Sequence, residues 1–281
     1  MIDQIVGILH PGQMGISVAA SAQNSGCSVY WASEGRSDET IDRATQFDLV
    51  DVRTMAELCN LSSLIISVCP PAAAEDVADQ VLATGYRGLY LDANAISPNK
   101  AQKIGQKMAS AGTQFVDGSI IGGPAWEPER TWLYLSGSDA ETIPANFTAG
   151  PLETKIIGKA IGKASALKMS FAAYTKGSSA LLSAILAVAE EQGVLQDLLK
   201  QWSRDGSGFA EEVVNRVRRV TAKAWRFEGE MFEIADTFSG SGLPDGFHLA
   251  SAEVYHRMVG FKGDPEIATI EVVLAALLGD L

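Results

Sequence analysis

Cysteine is scarce in this 281-residue chain, and its three copies, Cys27, Cys59 and Cys69, are odd in number and lack metal-ligand spacing. That arithmetic argues against a disulfide framework and a zinc site, and it fits a reducing, cytoplasmic setting. Positive charge is also short, with 22 Lys and Arg against 34 Asp and Glu and a formal net charge of −12. No basic stripe offsets the deficit, which argues against a nucleic-acid partner or an anionic membrane surface. The one dense basic run, RVRRVTAKAWR at 216–226, has helical spacing and reads as a solvated helix face. Long apolar runs are missing too: ALLSAILAVA at 180–189 falls far short of the ~20 residues of a spanning helix. No charged segment or small-residue cleavage site precedes the first apolar run, so a secretory leader is not expected. Low-complexity tracts and repeats at solenoid periods are lacking as well.

What is present is a chain with 47% hydrophobic residues, long enough for a large core and two domains. Short apolar or β-branched runs alternate with helical patterns through its first half: QIVGIL, CSVYWA, FDLVDV, SLIISV, GLYLDA and TQFVDG. Such alternation implies βαβ units and a doubly wound, largely parallel sheet, an α/β fold of Rossmann type. Punctuation agrees, with Gly26 closing the first helix, Thr54 capping MAELC, and Ser97-Pro98 opening the helix that follows. After TWLYLSG and TKIIGK the strand signal stops. The division expected is a dinucleotide-binding domain over residues 1–160 and an all-α domain over 161–281. The second opens with a long apolar helical stretch reaching Gln192, roughly 40 Å if unbroken. Gly177 in its interior argues against continuity.

The first turn carries the sharpest local signal. GILHPGQMG follows a strand, opens a helix and heads the βαβ series, the context in which a glycine turn lets backbone approach a pyrophosphate. Gly12 and Gly15 stand at the second and third fingerprint positions, and His10 replaces the first glycine. The first position mainly shapes the turn, so His10 is tolerated provided its φ stays negative. Cofactor binding is favoured over a turn that needs glycine for packing alone.

GILHPGQMG resembles the turn of the β-hydroxyacid dehydrogenase and 6-phosphogluconate dehydrogenase superfamily, and three later segments appear in that family's order. ISVCPP at 66–71 is similar to its fourth-strand end, DGSIIGGP at 117–124 to its glycine-rich substrate segment, and GKASALKMSFAAYTKG at 162–177 to its lysine-bearing helix. GLPDGFHLASAEVYHRM resembles a phosphogluconate-dehydrogenase-like branch. The resemblance implies that His10, Pro11, Gly12, Gln13, Met14, Arg36, Ser37, Cys69, Pro70 and Asn94 hold a nicotinamide cofactor. It further implies that Ser119, Gly122 and Gly123 face a small-molecule substrate, that Lys168 is the catalytic lysine, and that the helical domain makes a homodimer. Two departures bear on chemistry. Ser119 and Ile121 shift the substrate-segment hydroxyl by two positions, and Ala172 replaces the asparagine one turn after the lysine.

Several of these residues have competing readings. Lys168 in an apolar helix is either a desolvated proton-transfer group or a snorkelling surface lysine, and the resemblance tips it to catalysis. Thr175, nearly in line with it two turns on, is a second catalytic candidate that supplies polarity missing at Ala172. Tyr174 and Lys176 are rotated away, explained by packing or solvation. Asn94 either bonds the nicotinamide carboxamide or substrate, or caps the helix opened by Pro98. Ser119, Gly122 and Gly123 either line a carboxylate site or make a tight bend. His248, Glu253 and His256 read as helix-surface residues. In YWASEGRSDET, Glu34 suits the ribose hydroxyls of NAD and Arg36 the phosphate of NADP, and Arg36-Ser37 inclines the choice to NADP, with NAD possible. The function expected is NADP-dependent oxidation of a small hydroxy acid or reduction of its carbonyl. The alternatives are an imine or carbonyl reductase of the same fold and a non-catalytic NADP-binding protein. Trp225, Phe227, Met231 and Phe232 supply the apolar surface for a dimer.

Overall fold

A computed structural model describes residues 4–264 and 266–279. The chain forms two compact units, residues 1–169 and 170–281. The first holds one sheet of β1 (Ile5–Ile8), β2 (Ser28–Trp31), β3 (Val50–Asp51), β4 (Leu64–Ser67), β5 (Leu89–Asp92), β6 (Gln114–Ile121), β7 (Thr131–Ser136) and β8 (Leu152–Gly158). Their order is β3-β2-β1-β4-β5-β6-β7-β8. All neighbours are parallel except β6 and β7.

The strands are legible as apolar runs because helices cover both faces. Successive residues of β4 show it: Leu64 and Ile66 join one core and Ile65 the other. The first core gathers Val6, Ile8, Leu91 and Val116 with Ile16, Val18 and Ala22 of α1 (Gln13–Asn24). The second gathers Tyr90 and Phe115 with Leu58 of α3 (Met55–Leu61), Val77 and Val81 of α4 (Ala74–Ala83), and Ile104 and Met108 of α5 (Pro98–Ser110). The punctuation works as read. Gly26 takes φ +85° after α1 while the Cys27 N–H donates back to the Ala22 carbonyl. Thr54 Oγ1 accepts the Glu57 N–H at 3.2 Å, and Ser97 Oγ accepts the Lys100 N–H at 3.3 Å ahead of Pro98. FDLVDV shrinks to the two residues of β3, because Phe47, Asp48 and Leu49 close α2 (Asp38–Gln46) with N–H bonds to the Ala44 and Thr45 carbonyls.

The helical stretch is unbroken: α6 (Lys163–Glu191) runs 29 residues, and the unit boundary falls inside it rather than at 160. Gly177 sits within it for a packing reason, since a Cβ there would stand 3.3 Å from Phe247 Cε1. By length and composition α6 as a whole is long and apolar enough to cross a membrane, although the 180–189 run alone is not, and 39% of its apolar window is buried inside the protein.

The second unit continues with α7 (Leu195–Trp202), α8 (Phe209–Val220), α9 (Ala224–Gly240), α10 (Gly246–His256) and α11 (Ile270–Leu278). Four expectations change here. The basic run is not merely solvated: Arg216 donates to Ser179 Oγ, Ser178 Oγ and the Thr175 carbonyl, and Arg218 to the Ala268 carbonyl. Lys176 is neither solvated nor simply packed but forms a buried ion pair with Glu230, whose charges offset one another's desolvation. His248 is buried against Phe238 and Phe247, and that burial lowers its pKa, whereas His256 and Glu253 stay exposed and pair with Glu228 and Arg257. Met231 also lies in the core and offers no surface, while Phe227 packs edge-on to Tyr255.

Candidate active site

The turn between β1 and α1 keeps its geometry around His10. Positive φ among described non-glycine residues occurs at Asp48, Arg53 and Glu129, so His10 holds the negative φ it needs. Its carbonyl accepts the Gly12 N–H at 2.8 Å, and a Cβ on Gly15 would lie 2.0 Å from that same oxygen. Gly15 is therefore fixed by the close approach of helix and turn. Gly12 faces open space, and no side chain caps α1, which leaves the first-turn N–H groups for an anion. Pro11 is buried, Gln13 is exposed and Met14 packs into the first core.

Two guanidinium groups flank this turn. Arg43 of α2 reaches the Pro11 carbonyl at 3.4 Å and pairs with Glu39. Arg36 follows a bend made by Gly35 (φ +72°), and its buried Nε has no hydrogen-bond partner. Burial of His10, helped by the charge of Arg36, holds the imidazole down at about 4, so at neutral pH it is an uncharged donor and acceptor with its Nδ1 unpartnered. Burial lowers Arg36 as well. Ser37, exposed at the start of α2, shares a hydrogen bond with Thr40. A free glycine face, an uncapped helix and two orphaned nitrogens suit a dinucleotide phosphate.

Across the crevice, Cys69 and exposed Pro70 follow β4. Asn94 is buried and braces them: its Oδ1 accepts the Cys69 N–H at 2.6 Å and its Nδ2 donates to Ser67 Oγ at 3.1 Å. These bonds shape the loop itself, and the cap of the helix opened by Pro98 is Ser97 rather than this amide. Burial pushes the Cys69 thiol up to about 12, so it is a neutral wall rather than a nucleophile.

A row of polar side chains crosses the sheet beneath this loop. Ser67 is in register with Asp92, Asp92 with Asp117, and Asp117 with Ser136. All four are buried. Asp117 accepts five hydrogen bonds, from Ser136 Oγ (2.8 Å), Gly162 N (2.8 Å), Ala164 N (3.1 Å), Ser165 N (3.3 Å) and Ser165 Oγ (2.7 Å). Burial lifts its pKa, and these donors oppose the rise. Asp92 accepts the Asn94 N–H at 3.0 Å on one oxygen, and its other oxygen has no hydrogen-bond partner among the described residues. Burial, with the Asp117 charge adding to it, pushes Asp92 up to about 7. Sequence reading missed this row; its signal is that three apolar strands end on Ser67, Asp92 and Ser136 and a fourth carries Asp117 at its middle.

Beyond Asp117, β6 leads to the substrate segment. Ser119 is wholly buried, and its hydroxyl has no hydrogen-bond partner among the described residues. Gly122 and Gly123 are exposed. Gly122 is held at φ +127° where a Cβ would strike the Arg130 carbonyl, the tight bend of the alternative reading, and Gly123 keeps an open face while its carbonyl accepts Thr131 Oγ1. Half-buried Lys168 donates from Nζ to the Ile120 carbonyl at 2.7 Å, which sets the ammonium beside that bend. Thr175 instead turns its hydroxyl onto the Phe171 and Ala172 carbonyls of its own helix, so its geometry gives no support to a catalytic role.

This fold and turn define a nicotinamide-dependent oxidoreductase. Residues 5–146 match the NAD binding domain of 6-phosphogluconate dehydrogenase, and the chain belongs to that family; residues 189–258 match a domain of unknown function, DUF1932. The chain is similar to an uncharacterized 28.5 kDa protein of Methanothermus fervidus (30% identity over 66% of this chain and 71% of the relative). It also resembles mitochondrial 3-hydroxyisobutyrate dehydrogenase of Drosophila melanogaster (25% identity, 62% of this chain and 51% of the relative). In fold it is like the Mycobacterium tuberculosis 3-hydroxyisobutyrate dehydrogenase solved with L-serine (TM-score 0.70, 16% identity, 98% and 99% of the two chains). An imine reductase variant from Myxococcus stipitatus solved with NAD+ shares the fold at TM-score 0.56 and 19% identity, over 99% and 100% of the chains.

Asp92 makes stability depend on pH in a defined direction. Its folded pKa of about 7 lies above the ordinary carboxylate value of 3.8, so the folded chain binds the extra proton. Its contribution is whole below the unfolded pKa and is lost as pH rises through about 7. Asp92→Asn mimics the protonated form, and its stability relative to wild type should climb by a few kcal/mol, roughly 1.4 per pKa unit, between pH 5 and 8. Urea unfolding of both proteins at several pH values measures this; a difference that stays flat refutes it.

Proposed function

We propose that the protein is an NADP-dependent oxidoreductase that oxidises a small hydroxy acid, or reduces the corresponding carbonyl, with Lys168 as general acid and base. The observation that carries this reading is the position of the Lys168 ammonium on the Ile120 carbonyl, beside the exposed Gly122–Gly123 bend. When bound, the nicotinamide accepts or returns a hydride. Lys168 takes the proton of the substrate hydroxyl in oxidation and returns it to the carbonyl oxygen in reduction. The open face of Gly123 suits a substrate carboxylate. The Drosophila relative's 3-hydroxyisobutyrate supports a substrate of that size. Imine reduction is a second reading, favoured by Ala172: wholly buried one turn beyond Lys168, it leaves no amide to orient a hydroxy acid.

Lys168→Met keeps the apolar stem and removes the transferable proton. With a panel of 3-hydroxyisobutyrate, L-serine, aldehydes and cyclic imines, turnover of any accepted substrate should fall ~10²- to 10⁴-fold while melting temperature and NADPH affinity hold. Retained turnover assigns Lys168 elsewhere, and NADPH binding without turnover of any panel member favours a non-catalytic protein.

The orphaned Nε of Arg36 supports the 2′-phosphate of NADP as its partner. Arg36→Ala should weaken NADPH by roughly 10- to 100-fold, the range of a lost charge-assisted hydrogen bond, and NADH far less. Equal losses in calorimetric titration would point to the pyrophosphate instead.

A homodimer is supported by an apolar stripe on α6. Phe171, Tyr174, Leu181 and Val188 recur at helical spacing and are exposed, Tyr174 at 74% and Val188 at 62%. Trp225 and Phe232 of α9 are exposed as well. Light scattering at micromolar concentration should give twice the chain mass of 29.8 kDa, and the monomer mass would refute the dimer.

A further inference from the structure

Asp117 is the most heavily bonded side chain of the first unit, and its bonds converge on one end of one helix. Three backbone N–H groups, those of Gly162, Ala164 and Ser165, reach its Oδ2 together with the Ser136 hydroxyl, and the Ser165 hydroxyl takes Oδ1. Ser136 is drawn in twice, because its Oγ also accepts the Ala164 N–H at 3.1 Å. The backbone members can only donate, so the Oδ2 they share is an acceptor, and their bonds oppose the rise in pKa that burial imposes. The start of α6 supplies the compensating positive end of a helix dipole. Three residues along the same strand from Asp117, the Ile120 carbonyl holds Lys168. Thus α6 meets β6 at two points, its first turn on Asp117 and Lys168 on Ile120. A shift of the first turn along the strand would carry the backbone of Lys168 with it, since both belong to α6.

We infer that Asp117 is the positioning residue for Lys168: its carboxyl group locks the first turn of α6 to the middle of β6 and the end of β7 and so fixes the ammonium beside the Gly122–Gly123 bend. Its neighbour Asp92 cannot exchange roles with it, because Asp92 accepts the Asn94 N–H on one oxygen and its other oxygen has no hydrogen-bond partner among the described residues. The inference rests on the proposed role of Lys168 for its functional meaning and on Asp117's own contacts for its geometry.

Asp117→Asn keeps the shape but either turns its NH2 group toward the three N–H donors or leaves them a neutral amide oxygen in place of the carboxyl Oδ2, a weaker acceptor than a carboxylate. Three readouts follow, two of which need no substrate. Hydrogen exchange should quicken at Gly162, Ala164 and Ser165. Acylation of Lys168 by acetic anhydride, followed by mass spectrometry, should speed several-fold as the ammonium leaves Ile120. NADPH affinity, set at the distant glycine turn, should stay within about threefold. For any panel substrate that wild type accepts, kcat should drop ~10- to 10²-fold, the scale of an ångström of misplacement. Wild-type exchange and wild-type Lys168 labelling would overturn the inference. Should Asp117→Asn fail to fold, Ser165→Ala retains the carboxyl group and removes the Oδ1 hydroxyl; faster Lys168 labelling supports the inference and unchanged labelling overturns it. If Lys168→Met keeps its turnover while Asp117→Asn still frees the lysine, the catalytic reading fails and the positioning stands.

Discussion

One buried carboxyl group organises the first unit of this protein. Burial of a carboxyl group is costly unless it is hydrogen-bonded, and Asp117 gathers four donors on one oxygen and one on the other from β7 and from the start of α6. The requirement runs in both directions. The carboxyl group needs the helix terminus, and the helix terminus, which no residue of its own sequence caps in this way, needs the carboxyl group. A strand, its antiparallel neighbour and the longest helix are thereby fixed to a common point, and Lys168 is placed as a consequence.

The cofactor side solves a different electrostatic problem. A chain of net charge −12 repels a polyanionic dinucleotide at long range, so attraction must be local. It is concentrated where Arg36 and Arg43 flank the turn and the first N–H groups of α1 are left uncapped. His10 fits this arrangement because it is uncharged: a protonated imidazole would repel Arg36, and burial prevents it. The residue that departs from the glycine fingerprint thus contributes a carbonyl to the turn and an imidazole nitrogen to the crevice.

The strands and the glycine turn were legible because their determinants are local. A strand buried on both faces writes itself as consecutive apolar residues, as in LIIS of β4, and Gly12 and Gly15 lie within one turn. β3 was overread because Phe47 and Leu49 are apolar for another reason, the closing of α2. The polar row was not legible, since Ser67, Asp92, Asp117 and Ser136 are far apart in the chain and meet only through strand register. Lys176 and Glu230 met the same obstacle, being 54 residues apart. Thr175 shows the converse: periodicity put it in line with Lys168, but a threonine hydroxyl within bonding distance of the preceding turn's carbonyls settles there.

The clamp on α6 also bears on the order of events as the chain is synthesised. Every partner of Asp117 lies between Ser136 and Ser165, and the first compact unit ends at Met169. Nothing in that network waits for a later residue. The emerging chain can close its sheet, satisfy its buried carboxyl group and seat the lysine while the remaining helices are still being made, as is usual for amino-terminal units. The first turn of α6 then serves as a ready nucleus, and since nucleation is the unfavourable step in helix formation, the rest of a helix poor in charge is added by propagation alone. An aspartate in the middle of a strand thereby sets where and when the longest helix of the protein begins.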